Sequence, residues 1–312
     1  MANVLILLTL PEPIRNQYRD RLRNRFPGIT IELVDHHSKV GPYIGKADAL
    51  ITFAPMLSSE VLAAGTRLKW VQALGTGVDN LIDQPALRQD VIVTNMRATH
   101  GAPVSEAALA GMLALARGAS PGYSCASRTA MAPLSSAAST SQDGRFGVGQ
   151  IAEILAPKCK AFGMRVVGAR KLAGFDRMHW REELARVIGD FDFLILLTPL
   201  TTATRNSIDA KIFAAMKPTS YLVNLARGGV VDEAALIEAL AKGRIAGAAL
   251  DVFNQEPLPA DHPFWSMSNV IITAHQGGFC DVYVDHALPT IEANLERFLK
   301  GDYNGMINAV AH

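Results

Sequence analysis

Short runs of β-branched and apolar residues alternate with amphipathic stretches along most of this chain of 312 residues. Because a helical stretch separates each strand from the next, the pattern predicts βα units on parallel sheets. At about 150 residues per domain, the length allows two such α/β domains. The predicted strands are Val4–Leu8, Ile31–Leu33, Ala49–Phe53, Trp70–Ala73, Val91–Thr94, Arg165–Gly168, Phe193–Leu197, Tyr221–Asn224, Gly247–Leu250 and Val270–Thr273. The predicted helices are Pro13–Phe26, Pro103–Ala116, Ile151–Phe162, Glu182–Ile188, Glu233–Lys242 and a final helix that ends near Lys300.

Composition excludes several classes of protein. Apolar residues make up 49% of the chain and charged residues 19%, which excludes a disordered chain. Thirty basic residues against 29 acidic ones leave a net charge of +1. A balance of this kind argues against nucleic acid or a membrane surface as a partner held by bulk charge.

Cysteine usage and the amino-terminal residues indicate where the protein works. The three cysteines are scattered, so they predict neither a disulfide framework nor a metal site. Val4–Leu10 is apolar but lacks a preceding basic region, so we interpret it as a buried strand rather than a signal peptide. No apolar run reaches the ~18 residues that a membrane-spanning helix needs. We therefore expect a cytoplasmic protein that binds no metal.

A glycine-rich turn, GVGQIA, occupies 147–152 and precedes a predicted helix. Gly147 permits the tight turn, Gly149 lets the backbone approach a pyrophosphate, and the helix offers N–H groups to the phosphates. This pattern predicts a dinucleotide site, although glycine-rich turns alone are common. Arg170 and Lys171 stand where an acidic residue would bind the ribose of NAD(H), and two cations there suit the 2′-phosphate of NADP(H). A solvated pair at a strand end is the alternative.

Polar residues follow three of the later predicted strands, and ligands of open α/β sheets bind outside the carboxyl ends of the strands. Arg227 follows Tyr221–Asn224 in NLARGGVVD and can hold a carboxylate through two parallel hydrogen bonds. Glu256 and His275 follow the next two strands, and together they can form an acid–base pair. A surface ion pair for the arginine and a structural role for the histidine are the alternatives.

These motifs together resemble the D-isomer-specific 2-hydroxyacid dehydrogenases, and within them the glyoxylate/hydroxypyruvate reductase-like members. The resemblance covers about 4–117 and 146–310. It rests on the ordered motifs GTGVDN at 75–80, TPLTTATRNSID at 198–209, NLARGGVVDEAAL at 224–236, ALDVFNQEPLP at 249–259 and TAHQGG at 273–278.

The resemblance implies hydride transfer between NADP(H), or alternatively NAD(H), and a small 2-keto or 2-hydroxy acid. His275 would be the general acid–base with Glu256 as its partner, and Arg227 would bind the substrate carboxylate. The rest of the carboxylate would be held by Thr76, Gly77 and Val78. The cofactor would be bound by Gly147, Gly149, Gln150, Ile151, Arg170, Lys171, Thr198, Pro199, Asp251 and Gly277, with Asp251 contacting the nicotinamide amide.

The fold implied by the resemblance is a pair of Rossmann-like lobes with parallel sheets and an active site in the cleft between them, usually in a homodimer. We expect a substrate-binding domain from 1–98 plus 280–312 and a nucleotide-binding domain from 99–279. We expect no additional regulatory domain after the final helix. A non-catalytic or catalytically impaired dinucleotide-binding relative is the alternative function.

The segment 118–145 departs from the family pattern, because it is rich in serine and alanine and lacks periodicity. A flexible lid or linker is one interpretation. Relatives carry there a stretch like Gly-Lys-Thr-Val-Gly-Ile, which forms the first strand of the nucleotide lobe. Codons for that stretch read one base out of frame give Gln-Asp-Gly-Arg, the sequence of Gln142–Arg145, and the same offset turns Met131–Ala132 into the family's tryptophan. We therefore hypothesise an out-of-frame segment, in which coil replaces the strand and the neighbouring strands lose their ladder partners.

Overall fold

The computed structural model divides the chain into two compact units. The first unit combines Met1–Thr99 with Cys280–His312, and the second is the intervening His100–Phe279. The structure describes 1–53, 57–118, 149–168 and 184–311, and the backbone alone of 136–140 and 177–178.

Strands and helices alternate through both units. The strands are β1 (Asn3–Leu7), β2 (Thr30–Val34), β3 (Ala49–Thr52), β4 (Trp70–Ala73), β5 (Ile92–Thr94), β6 (Ser136–Thr140), β7 (Arg165–Gly168), β8 (Arg177–Met178), β9 (Phe193–Leu196), β10 (Tyr221–Asn224), β11 (Gly247–Leu250), β12 (Val270–Ile272) and β13 (Ala309–Val310). The α-helices are α1 (Glu12–Arg25), α2 (Gly41–Ile44), α3 (Ser59–Ala64), α4 (Gly101–Arg117), α5 (Gln150–Ala161), α6 (Leu184–Val187), α7 (Ala210–Ala215), α8 (Glu233–Ala241) and α9 (Tyr283–Lys300). Within the described ranges, no helix has the length and apolar character that a membrane span requires.

The first unit is built on a six-stranded sheet in the order β13-β5-β4-β3-β1-β2, parallel except for β13. Strands β3 and β4 are buried along their whole length, as expected for parallel strands covered on both faces. Helices α1 and α9 pack on one face, where Tyr18 and Leu22 meet Leu288 and Ile291 in a shared core. The last helix of the chain therefore completes the first unit.

Buried polar groups attach α9 to this sheet. The Trp70 indole donates to Thr94 Oγ1 at 2.8 Å, and the Thr94 hydroxyl donates to Gln72 Oε1 at 2.9 Å. Asn294 of α9 donates to the same Gln72 oxygen at 3.1 Å and accepts the Ile307 N–H at 2.7 Å. Each of these buried groups is thereby hydrogen-bonded, which avoids the ~1–3 kcal/mol that an unsatisfied buried group costs.

The second unit is built on a seven-stranded parallel sheet in the order β12-β11-β10-β9-β6-β7-β8. The chain runs from β6 outward to β8, then returns to the other side of β6 and continues outward from β9 to β12. This is the doubly wound Rossmann arrangement, with the topological switch point between β6 and β9. Two α/β units with parallel sheets confirm the predicted fold class.

The centre of this second sheet corrects one expectation from the sequence. Ser136–Thr140 forms a strand, and its Ala137 pairs with Val166 of β7 on one side and with Phe193 of β9 on the other. The predicted loss of ladder partners in these strands is therefore wrong. The physical reason is that backbone N–H and C=O groups form the ladder, so a serine- and alanine-rich stretch can pair without the apolar pattern that identifies a strand in sequence.

The remainder of the anomalous segment, 119–135 and 141–148, lies outside the described residues. The out-of-frame origin of 118–145 therefore stays a hypothesis, which sequencing of the gene tests directly. A DNA stretch that encodes the family's strand in no frame would contradict it.

Candidate active site

The carboxyl ends of three neighbouring strands carry the predicted polar residues. Arg227 follows β10, Asp251 follows β11 directly, and His275 follows β12. These strands are adjacent in the sheet and parallel, so their carboxyl ends lie along one edge. This placement agrees with the rule that open α/β sheets bind ligands at that edge.

His275 and Glu256 form a hydrogen-bonded pair. The Nδ1 atom of His275 lies 2.7 Å from Oε2 of Glu256, and about two fifths of the histidine side chain is exposed. A carboxylate can only accept a hydrogen bond, so the shared proton is on Nδ1 and Nε2 is the ring nitrogen directed to a reaction partner. The two residues therefore have the geometry of a general acid–base and its orienting carboxylate.

Several groups act on the Glu256 carboxyl. Burial acts to raise the pKa of Glu256, but the hydrogen bonds from His275 and from the Phe253 N–H, at 3.0 Å, lower it, as do the charges of His275 and Arg227. The net effect holds the pKa of Glu256 below its ordinary value. Glu256 is therefore ionised near neutral pH and can stabilise a positive charge on the imidazole.

Asp251 holds the turn that carries His275. Its Oδ1 atom accepts hydrogen bonds from the Thr273 hydroxyl and the Gln276 N–H, its Oδ2 atom accepts from the Gly277 N–H, and its carbonyl accepts from the His275 N–H at 2.8 Å. The aspartate is only 4% exposed. His275 has a φ of 52°, in the left-handed region that a non-glycine residue rarely adopts. These hydrogen bonds give Asp251 a structural role in orienting the histidine, and its contact with the nicotinamide stays a prediction.

The loop that carries Arg227 is packed tightly against the loop that carries Glu256. Arg227 is half-buried and donates from Nη1 to its neighbour's carbonyl, the Ala226 oxygen, at 2.7 Å. The following Gly228 is buried, and a Cβ atom there would lie 2.0 Å from the carbonyl carbon of Phe253 and 2.4 Å from the Asn254 nitrogen. Only glycine permits this approach of two backbones, which couples the position of the arginine to that of the glutamate.

Replacing Gly228 with alanine is expected to lower the free energy of unfolding by about 2 kcal/mol or more, because a methyl group forces the two loops apart. Urea unfolding of the purified variant measures this change. Gly41→Ala is the matched control, since a Cβ at Gly41 has no neighbour within 4 Å. Equal stability of the two variants would contradict the close packing.

The amino end of α5 is the described part of the predicted dinucleotide site. Gly149 is the N-cap residue, and, as a glycine, it has no side chain of its own to cap the turn that Gln150 and Ile151 begin. The N–H groups of such a turn bind anions, so a pyrophosphate fits the residues present. Three further predicted positions lie outside the described residues: Gly147, Arg170 and Lys171.

The other predicted cofactor residues lie near strand ends in the same unit. Thr198 and Pro199 follow β9, which flanks the switch point, and Thr198 is buried. A Cβ atom at Gly277 would lie 2.8 Å from Leu225 Cδ2 and 3.0 Å from Asp251 Oδ2, so a larger residue does not fit there without movement. Their contacts with a cofactor stay predictions.

The remaining predicted residues belong to the first unit, where they follow β4. Thr76 donates from its hydroxyl to the Met96 carbonyl at 3.3 Å, and its own carbonyl accepts from Asn95 Nδ2 at 2.8 Å. Val78 is buried, and Gly77 lies between Thr76 and Val78 in the sequence. Two hydrogen bonds thus attach the loop to Asn95 and Met96, and the role of its N–H groups in substrate binding stays a prediction. Among the side chains that the structure describes, no three His, Cys, Asp or Glu residues group as a metal site.

The family model for the NAD binding domain of the D-isomer specific 2-hydroxyacid dehydrogenases matches residues 109–277, more than half of the chain. The chain belongs to this family. Membership confirms the resemblance that the sequence motifs indicated.

Curated members of the dehydrogenase family include relatives with different substrates. The chain is 31% identical over 270 residues to the D-3-phosphoglycerate dehydrogenase of Methanocaldococcus jannaschii, covering 83% of this chain and 51% of that protein. It is 30% identical over 280 residues to the glyoxylate reductase of Korarchaeum cryptofilum, covering 82% of this chain and 80% of that protein. The chain thus spans about half the length of the phosphoglycerate dehydrogenases that it matches.

A solved structure supports the fold of the whole chain. The D-isomer specific 2-hydroxyacid dehydrogenase family protein from Aeromonas salmonicida is 28% identical and superposes with a TM-score of 0.83. The superposition covers 99% of this chain and 98% of that one. Both Rossmann-like units of this chain therefore have counterparts in a solved relative.

Proposed function

We propose that this chain is an oxidoreductase that transfers a hydride between NAD(P)(H) and a small 2-keto or 2-hydroxy acid. The hydrogen-bonded pair of His275 and Glu256, beside Arg227 on the same sheet edge, carries the proposal. An acid–base pair next to an arginine suits a substrate that carries a carboxylate beside a carbonyl. This retained pair also argues against the non-catalytic alternative.

Proton transfer in the reaction would be carried by the histidine. A nicotinamide cofactor, when bound, would supply the hydride that the carbonyl carbon accepts in the direction of reduction. Nε2–H of His275 donates a proton to the carbonyl oxygen, so that the keto group becomes a hydroxyl group. Glu256 remains hydrogen-bonded to Nδ1, which keeps the ring oriented and stabilises the imidazolium before the proton leaves. In the oxidative direction the neutral ring accepts the hydroxyl proton.

Arg227 would bind the substrate carboxylate. A guanidinium group presents parallel N–H donors that match the two oxygens of a carboxylate, and it remains charged at any working pH. Binding both oxygens fixes the orientation of the carbonyl relative to His275. That fixed orientation predicts a preference for 2-keto acids over simple ketones.

The activity is tested by following oxidation of NADPH and NADH at 340 nm with glyoxylate and hydroxypyruvate, and reduction of NADP⁺ and NAD⁺ with D-3-phosphoglycerate. We propose glyoxylate or hydroxypyruvate as substrate, supported by the glyoxylate reductase that this chain resembles over most of both lengths. If the protein turned over D-3-phosphoglycerate but neither glyoxylate nor hydroxypyruvate, D-3-phosphoglycerate would be the substrate instead. A folded sample inactive with every pair would contradict the proposed function.

NADP(H) is the proposed preferred cofactor. Arg170 and Lys171 follow β7, the second strand of the doubly wound sheet, and its end is where this arrangement contacts the adenosine ribose. Replacing Arg170 with aspartate is expected to lower the ratio of kcat/KM for NADPH to that for NADH by about 10- to 100-fold, the value of a charge-assisted hydrogen bond.

The matched control is Arg186→Asp, at an exposed arginine of α6. It makes the same change in net charge without touching the proposed phosphate contact. We expect it to leave the cofactor ratio unchanged within about twofold, as screened surface charges have small effects. An unchanged ratio in Arg170→Asp would refute this contact.

A homodimer in the cytoplasm is the proposed working form of the enzyme. Family resemblance supports the dimer, and scattered cysteines with a near-neutral net charge support the compartment. Light scattering on the eluted protein tests the dimer, and a mass of one chain at micromolar concentration would contradict it.

A further inference from the structure

A second carboxylate, Glu233, lies behind the loop that carries Glu256. Glu233 is the first residue of α8, and its Oε2 atom accepts the backbone N–H of Asn254 at 3.2 Å. Its other oxygen, Oε1, lies 3.4 Å from Nε2 of His262. The side chains of Glu233 and His262 are 21% and 14% exposed, so both are largely withdrawn from solvent.

The hydrogen bonds of His262 define which of its nitrogens carries the proton. Its Nδ1 atom accepts the backbone N–H of Phe264 at 3.3 Å, so Nδ1 carries no hydrogen. Nε2 therefore carries the proton and donates toward Glu233. This contact and the hydrogen bond from the Asn254 N–H together engage both oxygens of the Glu233 carboxylate.

The backbone that Glu233 holds is the backbone that orients Glu256. Phe253, immediately before Asn254, donates its N–H to Oε1 of Glu256 at 3.0 Å. That bond leaves Oε2 of Glu256 directed at Nδ1 of His275, 2.7 Å away. A movement of Asn254 would shift the Phe253 N–H, and with it the rotamer of Glu256.

We propose that Glu233, supported by His262, is a positioning residue for the Glu256–His275 pair. This inference rests on the proposed function and deepens it, because it extends the acid–base pair into the packing behind the loop. Glu233 and His262 act through the Phe253–Glu256 loop and touch no reacting atom. The glutamate side chain at 233 makes both contacts at once, because one carboxylate oxygen accepts the Asn254 N–H while the other reaches His262.

A purely structural role for Glu233 makes a different prediction. Acidic residues in the first turn of a helix stabilise it through the helix dipole, so loss of Glu233 would then lower stability alone. A positioning role changes the pH profile as well. The hydrogen bond from the Phe253 N–H lowers the pKa of Glu256. The charged groups that face Glu256 among the described residues are His275 and Arg227, and both lower this pKa as well. Loosening of the loop raises that pKa.

The decisive experiment compares Glu233→Ala with Glu233→Gln and with the control Glu238→Ala. Glu238 lies on the same helix, where it pairs with Lys242 on the exposed surface. We expect Glu233→Ala to lower kcat about tenfold or more, with substrate KM changed less than about threefold, and to move the acidic limb of kcat/KM to higher pH. Glu233→Gln keeps an acceptor for Asn254 but turns its NH2 group towards the Nε2–H of His262, so we expect it to recover part of the activity, whereas Glu238→Ala should match the unmodified protein.

Hydrogen exchange provides a readout that does not require turnover. In Glu233→Ala the amide of Phe253 is expected to exchange at least about tenfold faster, while the amides of β10 and β11 keep their rates. An inactive parent protein with this exchange pattern would refute the proposed function and leave the positioning role standing. An unchanged pH profile together with unchanged exchange at Phe253 would overturn the positioning role. If Glu233→Ala does not fold, Glu233→Ser replaces it with the same expected results, because serine suits the first turn of a helix but is too short to reach the Asn254 N–H.

Discussion

Replacing His275 with alanine is expected to lower kcat about 10²- to 10⁴-fold, the usual contribution of a positioned general acid–base. Without the imidazole, the residue that follows β12 lacks the group that would deliver a proton to the carbonyl oxygen as hydride arrives. The dissociation constant for NADPH, measured by fluorescence titration, is expected to change less than about twofold, because the proposed pyrophosphate contacts lie at α5.

His286→Ala is the control for this variant. His286 is exposed on α9 and belongs to the first unit, so the same substitution there should leave kcat unchanged. Turnover that survives in His275→Ala would remove His275 from the acid–base role. It would direct attention to water or another donor at the carboxyl end of β12.

Replacing Arg227 with lysine is expected to lower kcat/KM at least about 30-fold, in line with the ~2–5 kcal/mol lost when one partner of a buried hydrogen-bonded charge pair is removed. Lysine keeps the positive charge but offers a single point of contact, so a 2-keto acid loses the second hydrogen bond and its fixed orientation. Most of the change should appear in the KM for the keto acid, which steady-state kinetics measures directly.

Arg244→Lys is the corresponding control, because Arg244 is exposed after α8. It should retain the kinetics of the unmodified chain. If Arg227→Lys also retains them, charge alone is sufficient at this position, and the bidentate contact is wrong. Saturation of the Arg227→Lys variant at high keto acid concentration separates weakened binding from slowed chemistry.

Most of the sheet architecture could be predicted, because buried parallel strands are recognisable as short β-branched runs. Trp70–Ala73 and Tyr221–Asn224 have the same bounds in the sequence analysis and in the structure. The helix Ala210–Ala215 was missed, although Asp209 before it is a capping residue that accepts the N–H groups of Lys211 and Ile212. Short elements carry too few residues for a periodic pattern, so only their caps identify them.

The candidate site was predictable as a set of strand ends but not as a set of contacts. The order of Arg227, Glu256 and His275 along the chain indicates the chemistry. The hydrogen bonds that Asp251 accepts from Gln276 and Gly277 have backbone donors, and those donors leave no trace in the sequence. For the same reason Glu233 could be recognised only from the structure, since its partner in the loop is a main-chain N–H.

Assembly of the first unit from both ends of the chain has a consequence for biosynthesis. Residues 100–279 leave the ribosome before Leu288, Ile291 and Leu295 of α9 have been made, and these side chains are fully buried in the first unit's core. The inserted unit can therefore finish folding while the sheet formed by the first 99 residues still lacks one of its covering helices. During that interval the nascent first unit presents an apolar face to the cell, and we expect chaperones to bind it there until α9 covers that face.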